Sequence, residues 1–144
     1  MRSGTRLAID VGTARVGVAR SDPHGMLATP VETLARRSDV VAGVTRLVDE
    51  LEVVEVIVGL PLSLSGAETA STADARVVAE ALATALSVPV RLVDERLTTV
   101  SAARGLRDAG RTTKNSRSIV DQAAAVILLQ HALDLERASG NPPG

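Results

Sequence analysis

The chain has no cysteine, phenylalanine, tyrosine or tryptophan, and only two histidines, His24 and His131. Without cysteine there are no disulfides, no thiolate zinc sites and no thiol nucleophile, and two isolated histidines leave little for a zinc centre or a Ser-His-Asp triad. Any metal is therefore expected to be held by oxygen. Without aromatic rings the chain lacks the platforms on which sequence-tolerant single-strand binders stack bases, so contact with a nucleic acid would rest on phosphates. Long apolar runs are also missing. The longest, Ala123 to Leu129, is far too short to span a bilayer, and Asp10 interrupts the N-terminal region before a signal-peptide stretch develops. No membrane association is expected, and the cytoplasm is the expected location.

What is present is an ordinary globular composition, with 45% hydrophobic and 23% charged residues in 144. That length suits one domain over 1–144, with 139–144 as a flexible tail. The formal net charge of -1 argues against a general nucleic-acid coat, yet Arg104, Arg107, Arg111, Lys114 and Arg117 stand against only Asp108 in their stretch. Local steering of an anion needs no more than such a cluster.

Alternation of apolar residues predicts strands over Leu7 to Asp10 and Val16 to Arg20, joined by a tight turn, and a third over Ala28 to Leu34 with Pro30 at an edge. Helical spacing over Val40 to Leu51 is followed by a buried strand, Glu55 to Val58, ending at Gly59. Ser71 with Asp74 resembles a capping pair opening a helix to about Leu86, and Val90 to Val93 reads as the next strand. A further helix is expected from Thr98 or Thr99 to before Gly110, then a basic loop, then a last helix from about Ser118 to Arg137. The fold class is thus α/β: an antiparallel three-strand meander, then alternating helix and parallel strand, giving a five-stranded mixed sheet flanked by helices.

Three acids stand out. Asp10 ends what should be a central strand, where a carboxylate is costly unless something meets it; a turn aspartate bonding its own backbone is the alternative. Asp121 shares its helical direction with Ala125, Leu128, Ala132 and Leu135 and so is expected to point inward, against the alternative of a first-turn acid favoured by the helix dipole. Asp94 and Glu95 follow a parallel strand directly, at the end where open α/β sheets place their sites; a surface ion pair of Arg96 with either acid is the alternative. Carboxylates converging from two strand ends and a helix make an oxygen-only site suited to Mg²⁺ or Mn²⁺, and such a site fits phosphodiester hydrolysis.

Together, IDVGTARVGVARSDP, VGLPLSLSG, VDERLTT and VDQAAAVILLQ resemble, in order and spacing from Leu7 to about Leu135, the signature segments of the YqgF family, also called RuvX. The resemblance implies a ribonuclease H-like fold related to the RuvC resolvases, a Mg²⁺ or Mn²⁺ cofactor, and either maturation of the 5′ end of 16S ribosomal RNA or cleavage of Holliday junctions. It places the catalytic and metal-binding acids on Asp10, Glu95 and Asp121, with Asp94 as a possible assistant or replacement for Glu95. Arg15, Arg96, Thr98, Arg104, Arg107, Arg111, Lys114 and Arg117 become the candidate substrate-binding residues, Arg15 as a planar phosphate clamp and the arginines spaced by three and four as one helical face. The basic loop from Arg111 to Arg117 is poorer in lysine than is common in that family.

RNA, structured or single-stranded, is the preferred partner, with branched DNA as the alternative and a monomer or a homodimer as the acting species. IDVGT also resembles the phosphate hairpin of actin-like and sugar-kinase ATPases, but no second such hairpin follows Gly59 and no GxxxxGK[ST] occurs. A non-catalytic ribonuclease H-like binding scaffold is the remaining alternative, disfavoured by the presence of all three acids.

Overall fold

The computed structural model describes residues 3–63, 65–97 and 114–139, with the side chains at 97, 114–121 and 139 outside that description. Five strands form one mixed sheet: β1 (Thr5–Val11), β2 (Arg15–Ser21), β3 (Ala28–Ala35), β4 (Val53–Leu60) and β5 (Val90–Asp94). Their spatial order is β3-β2-β1-β4-β5. The first three pair antiparallel, and β4 and β5 add in parallel, as the crossover lengths require.

Alternation along β1 sorts the protein into three layers. Leu7, Ile9 and Val11 join Val16, Val18, Val56 and Val58 on one face. That face is covered by Val44, Leu47 and Val48 of α1 (Val40–Glu50) and by Ala75, Val78, Ala79 and Leu82 of α2 (Ala70–Ala85). On the other face small side chains, Ala8, Ala19 and Ala28, meet Ala124, Ala125 and Ala132 of α3 (Lys114–Ser139), with Ile57, Leu128, Leu129 and Leu133 filling the remainder. Alanine against alanine lets the helix axis approach the sheet closely, because the contact distance is set by side-chain size.

Several local expectations shift. The α2 N-cap is Thr69, in a capping box with Thr72, and not Ser71 with Asp74. Thr72 also donates its hydroxyl to the Pro61 carbonyl, fastening the loop after β4 to α2, so the cap lies two residues earlier because that loop pulls the helix start toward it. The last helix begins at Lys114 and not near Ser118, which puts Lys114 and Arg117 on helix and not in a loop. Its buried stripe runs through Ala125, Leu129, Ala132 and Glu136, so Leu135, expected inward, is 50% exposed. The expected helix from Thr98 or Thr99, with Arg104, Arg107 and Arg111, lies outside the described residues.

Candidate carboxylate site

Asp10 follows Ala8 by two residues on β1 and therefore faces α3, on the side where the sheet carries small residues. Across the sheet it pairs with Gly17 of β2, which in turn pairs with Thr33 of β3. On its other side Ile9 pairs with Val58, so Gly59 of β4 comes next to Asp10, and Gly59 pairs with Val93 of β5. Asp10 is thus bracketed by glycines in both neighbouring strands. Its relative exposure is 0% and that of Glu95 is 3%.

Glu95 opens the short 3-10 turn Glu95–Leu97 that follows β5, two residues beyond Val93, and it returns to the α3 face. Gly59 shows what that return requires. A methyl built on its Cα would lie 3.1 Å from the Glu95 carboxyl carbon and 3.1 Å from Leu128 Cδ2. The bare backbone of β4 is the floor on which the Glu95 side chain and α3 both rest, which gives Gly59 a steric role beyond the turn chemistry that its position first suggests.

Asp94 points elsewhere. Its carboxylate accepts from Arg96 Nε at 3.1 and 3.0 Å, from Arg96 Nη2 at 2.7 Å and from the Arg96 backbone at 2.9 Å. The side-chain bonds from Arg96 hold its pKa below the usual carboxylate range. Of the adjacent pair, Asp94 is the ion-paired acid and Glu95 the buried one. Arg96 in turn packs beside the loop after β4, where a methyl on Gly66 would lie 2.9 Å from Arg96 Nη1.

The third acid, Asp121, lies on α3 one turn before Ala125 and two turns before Leu128, both fully buried against the sheet; its side chain lies outside the described residues. So do the side chains of Lys114 and Arg117, and Thr98, Arg104, Arg107 and Arg111 altogether. Among the described residues no three acids or histidines stand together as a metal cluster. What the described residues supply is two buried carboxylates on one face, a donor set of oxygen alone, which is the chemistry that Mg²⁺ and Mn²⁺ accept.

Arg15 begins β2 opposite Ala35 and borders an open groove of about 520 Å³ lined by Thr13, Ala14, Arg15, Thr33, Ala35, Arg36 and Arg37. Sequence reasoning singled out Arg15 but passed over Arg36 and Arg37, although two adjacent arginines directly after a strand were the available signal. Arg36 Nη1 donates to the Gly12 carbonyl at 3.0 Å and to Asp74 at 2.6 Å, and its Nη2 donates to Asp74 at 2.9 Å. The turn that follows Asp10 is thereby tied to α2 on the far face of the sheet. Among the described residues no helix is long and apolar enough to cross a membrane.

Comparison with known proteins agrees with this geometry. A family model described as "RuvX: Holliday junction resolvase" matches residues 4–135. A protein of Leifsonia xyli subsp. xyli, named "Putative pre-16S rRNA nuclease", is 62% identical over all of this chain and 94% of its own length. One of the same name from Streptomyces coelicolor is 57% identical over all of this chain and 88% of its own. Among solved structures, the RuvC of T. thermophilus in complex with a Holliday junction substrate superposes with a TM-score of 0.57 at 15% identity, covering 94% of this chain and 97% of that one. That likeness establishes a ribonuclease H-like fold.

Proposed function

The chain belongs to the RuvX family, and we propose that it is a metal-dependent nuclease that hydrolyses phosphodiester bonds in the cytoplasm, acting in maturation of the 5′ end of precursor 16S ribosomal RNA. The observation that carries the reading is the pair of buried carboxylates, Asp10 and Glu95, brought to one face of the sheet over the bare backbone of Gly59. The names borne by relatives at 57–62% identity over the whole chain support the choice of RNA. A single domain would carry the whole activity.

Asp10 and Glu95, joined by Asp121, would hold Mg²⁺ or Mn²⁺. The chemistry supplied there would be polarisation of the scissile phosphate and a lowered pKa of bound water, which provides hydroxide as the nucleophile. The chain's own part is to hold the acids rigidly. Asp10 sits within a paired central strand, and Glu95 is buried over Gly59 of β4, which Leu128 also approaches. Arg15 would grip a substrate phosphate through its planar fork. Arg104, Arg107, Arg111, Lys114 and Arg117 would extend the cationic track and Thr98 would add a hydroxyl, with Arg96 held by Asp94 at its side.

A second reading, cleavage of a four-way DNA junction, is favoured by the description of the matching family model. It requires two sites related by a twofold axis, hence a homodimer, whereas a single cut in RNA needs only a monomer. The deciding experiment presents an RNA spanning a precursor 16S 5′ end and a four-way junction in parallel, with Mg²⁺, Mn²⁺ or chelator. Metal-dependent cutting of the RNA alone supports the first reading, and symmetric nicking of the junction supports the second. No cutting of either returns the protein to a binding scaffold.

A further inference from the structure

The groove beside Arg15 has more in its lining than the family resemblance uses. Strand register puts Thr33 and Ala35 of β3, Arg15 and Gly17 of β2, and Asp10 of β1 on one face of the sheet, because opposed residues in antiparallel strands share a face. The groove therefore lies on the face of the two carboxylates, on the side of Asp10 away from Glu95. Gln122 of α3 donates to the Thr33 hydroxyl at 3.0 Å, which fastens the groove's inner wall to the helix that carries Asp121. Arg36, the innermost of the two adjacent arginines, is turned to Asp74, and Arg37 at the rim is exposed. None of the described lining residues is acidic, and none is aromatic.

We propose that this groove is a second arm of the nucleic-acid interface, with Arg37, Thr13 and Thr33 joining Arg15 to receive the sugar-phosphate backbone of the strand on the β3 side of the cleavage point. This rests on the nuclease reading and adds a direction to it: the substrate crosses the sheet end from β5 to β3, passing Glu95, then Asp10, then the groove. Guanidinium groups and hydroxyls without aromatic rings bind phosphate and sugar and leave the bases unread, so the arm adds affinity without sequence preference. It also supplies cationic contacts on the opposite side of Asp10 from Arg96 and the turn after β5.

The test is binding without cutting. In an Asp10→Asn background, fluorescence anisotropy follows a labelled single-stranded RNA and a labelled four-way DNA junction across a salt series. Arg37→Glu should raise Kd about tenfold near 0.1 M salt and lower the slope of log K against log salt by about one, as loss of a phosphate contact does. Thr33→Val should raise it by a few-fold, roughly the loss expected for a single hydrogen bond. Arg20→Glu is the control: it makes the same charge change at the other, exposed end of β2 and should stay within about twofold of the parent. Circular dichroism checks that each variant is folded.

Equal losses in Arg37→Glu and Arg20→Glu would reduce the effect to net charge and overturn the groove. So would unchanged binding in Arg37→Glu while the native protein cuts its substrate, and that result would leave the nuclease reading standing. A native protein that neither binds nor cuts either probe removes that reading, and the groove with it.

Discussion

Arg36 and Asp74, the first just beyond β3 and the second on α2, are joined by hydrogen bonds of 2.6 and 2.9 Å that pass beneath the turn following Asp10. The same guanidinium holds the Gly12 carbonyl, so one side chain couples the site's first strand to a helix on the opposite face of the sheet.

The coupling should show in a pH profile. The side-chain hydrogen bond from Arg36 lowers the pKa of Asp74, so the pair's contribution is whole above the unfolded carboxylate value, about 3.9, and is lost as pH falls through the lower folded value. The two side chains are 25% and 31% exposed, which limits the effect of Asp74→Asn to about 1 kcal/mol near pH 7. Urea denaturation of variant and parent should differ by that amount at neutral pH and converge as pH falls through the folded value of Asp74. A difference that persists in acid would mean that the pair stabilises through packing and not through charge.

Asp10→Asn, Glu95→Gln and Asp121→Asn should each lower metal-dependent turnover by more than about a hundredfold, since loss of groups that merely orient metal ligands already reaches that size. Asp94→Asn should not, because that carboxylate is spent on Arg96. Single-turnover cleavage with Mg²⁺ titration separates the two classes. Equal losses at Asp94 and Glu95 would mean that both acids serve the site.

Gly59→Ala probes the floor of the site. Its new methyl would press on Glu95 and Leu128 at 3.1 Å, so one of them must move. Overpacking of this kind costs about 1–3 kcal/mol. Turnover at saturating metal should fall by more than the stability loss explains. Full activity in a destabilised protein would show that Leu128 yields and Glu95 stays.

The buried pair of Arg6 and Glu136 offers the largest stability effect. The two lie 2.6 Å apart at 1% and 2% exposure. Glu136→Gln should cost about 3–5 kcal/mol, because it breaks a buried charge pair from one side. The double variant Arg6→Met with Glu136→Leu should recover most of that loss. Denaturant midpoints of the parent, Arg6→Met, Glu136→Leu and their double variant form the cycle, and additive losses would deny the coupling.

How much of this was legible in the sequence depended on the range of the interaction. Alternation in Leu7 to Asp10 and Val16 to Arg20 placed the meander, and helix-containing crossovers fixed β4 and β5 as parallel, because both follow from local pattern and chain length. Asp10 and Glu95 were identifiable as acids at strand ends, and burial distinguishes Glu95 from its neighbour. Asp74 was misread as a capping partner because its true partner, Arg36, is 38 positions away. Leu135 was placed inward by the helical direction it shares with Asp121 and Ala125, and Glu136 went unremarked, since nothing near it in sequence announces Arg6.

That last contact also orders events during synthesis. Arg6 is made 130 positions before the Glu136 carboxylate that accepts from it. Until then β1 can pair with β2, but its arginine lacks that carboxylate and the helical cover over Asp10 is unmade. Asp10 and Glu95 can meet through β1, β4 and β5, and the face they share is closed only when α3 docks.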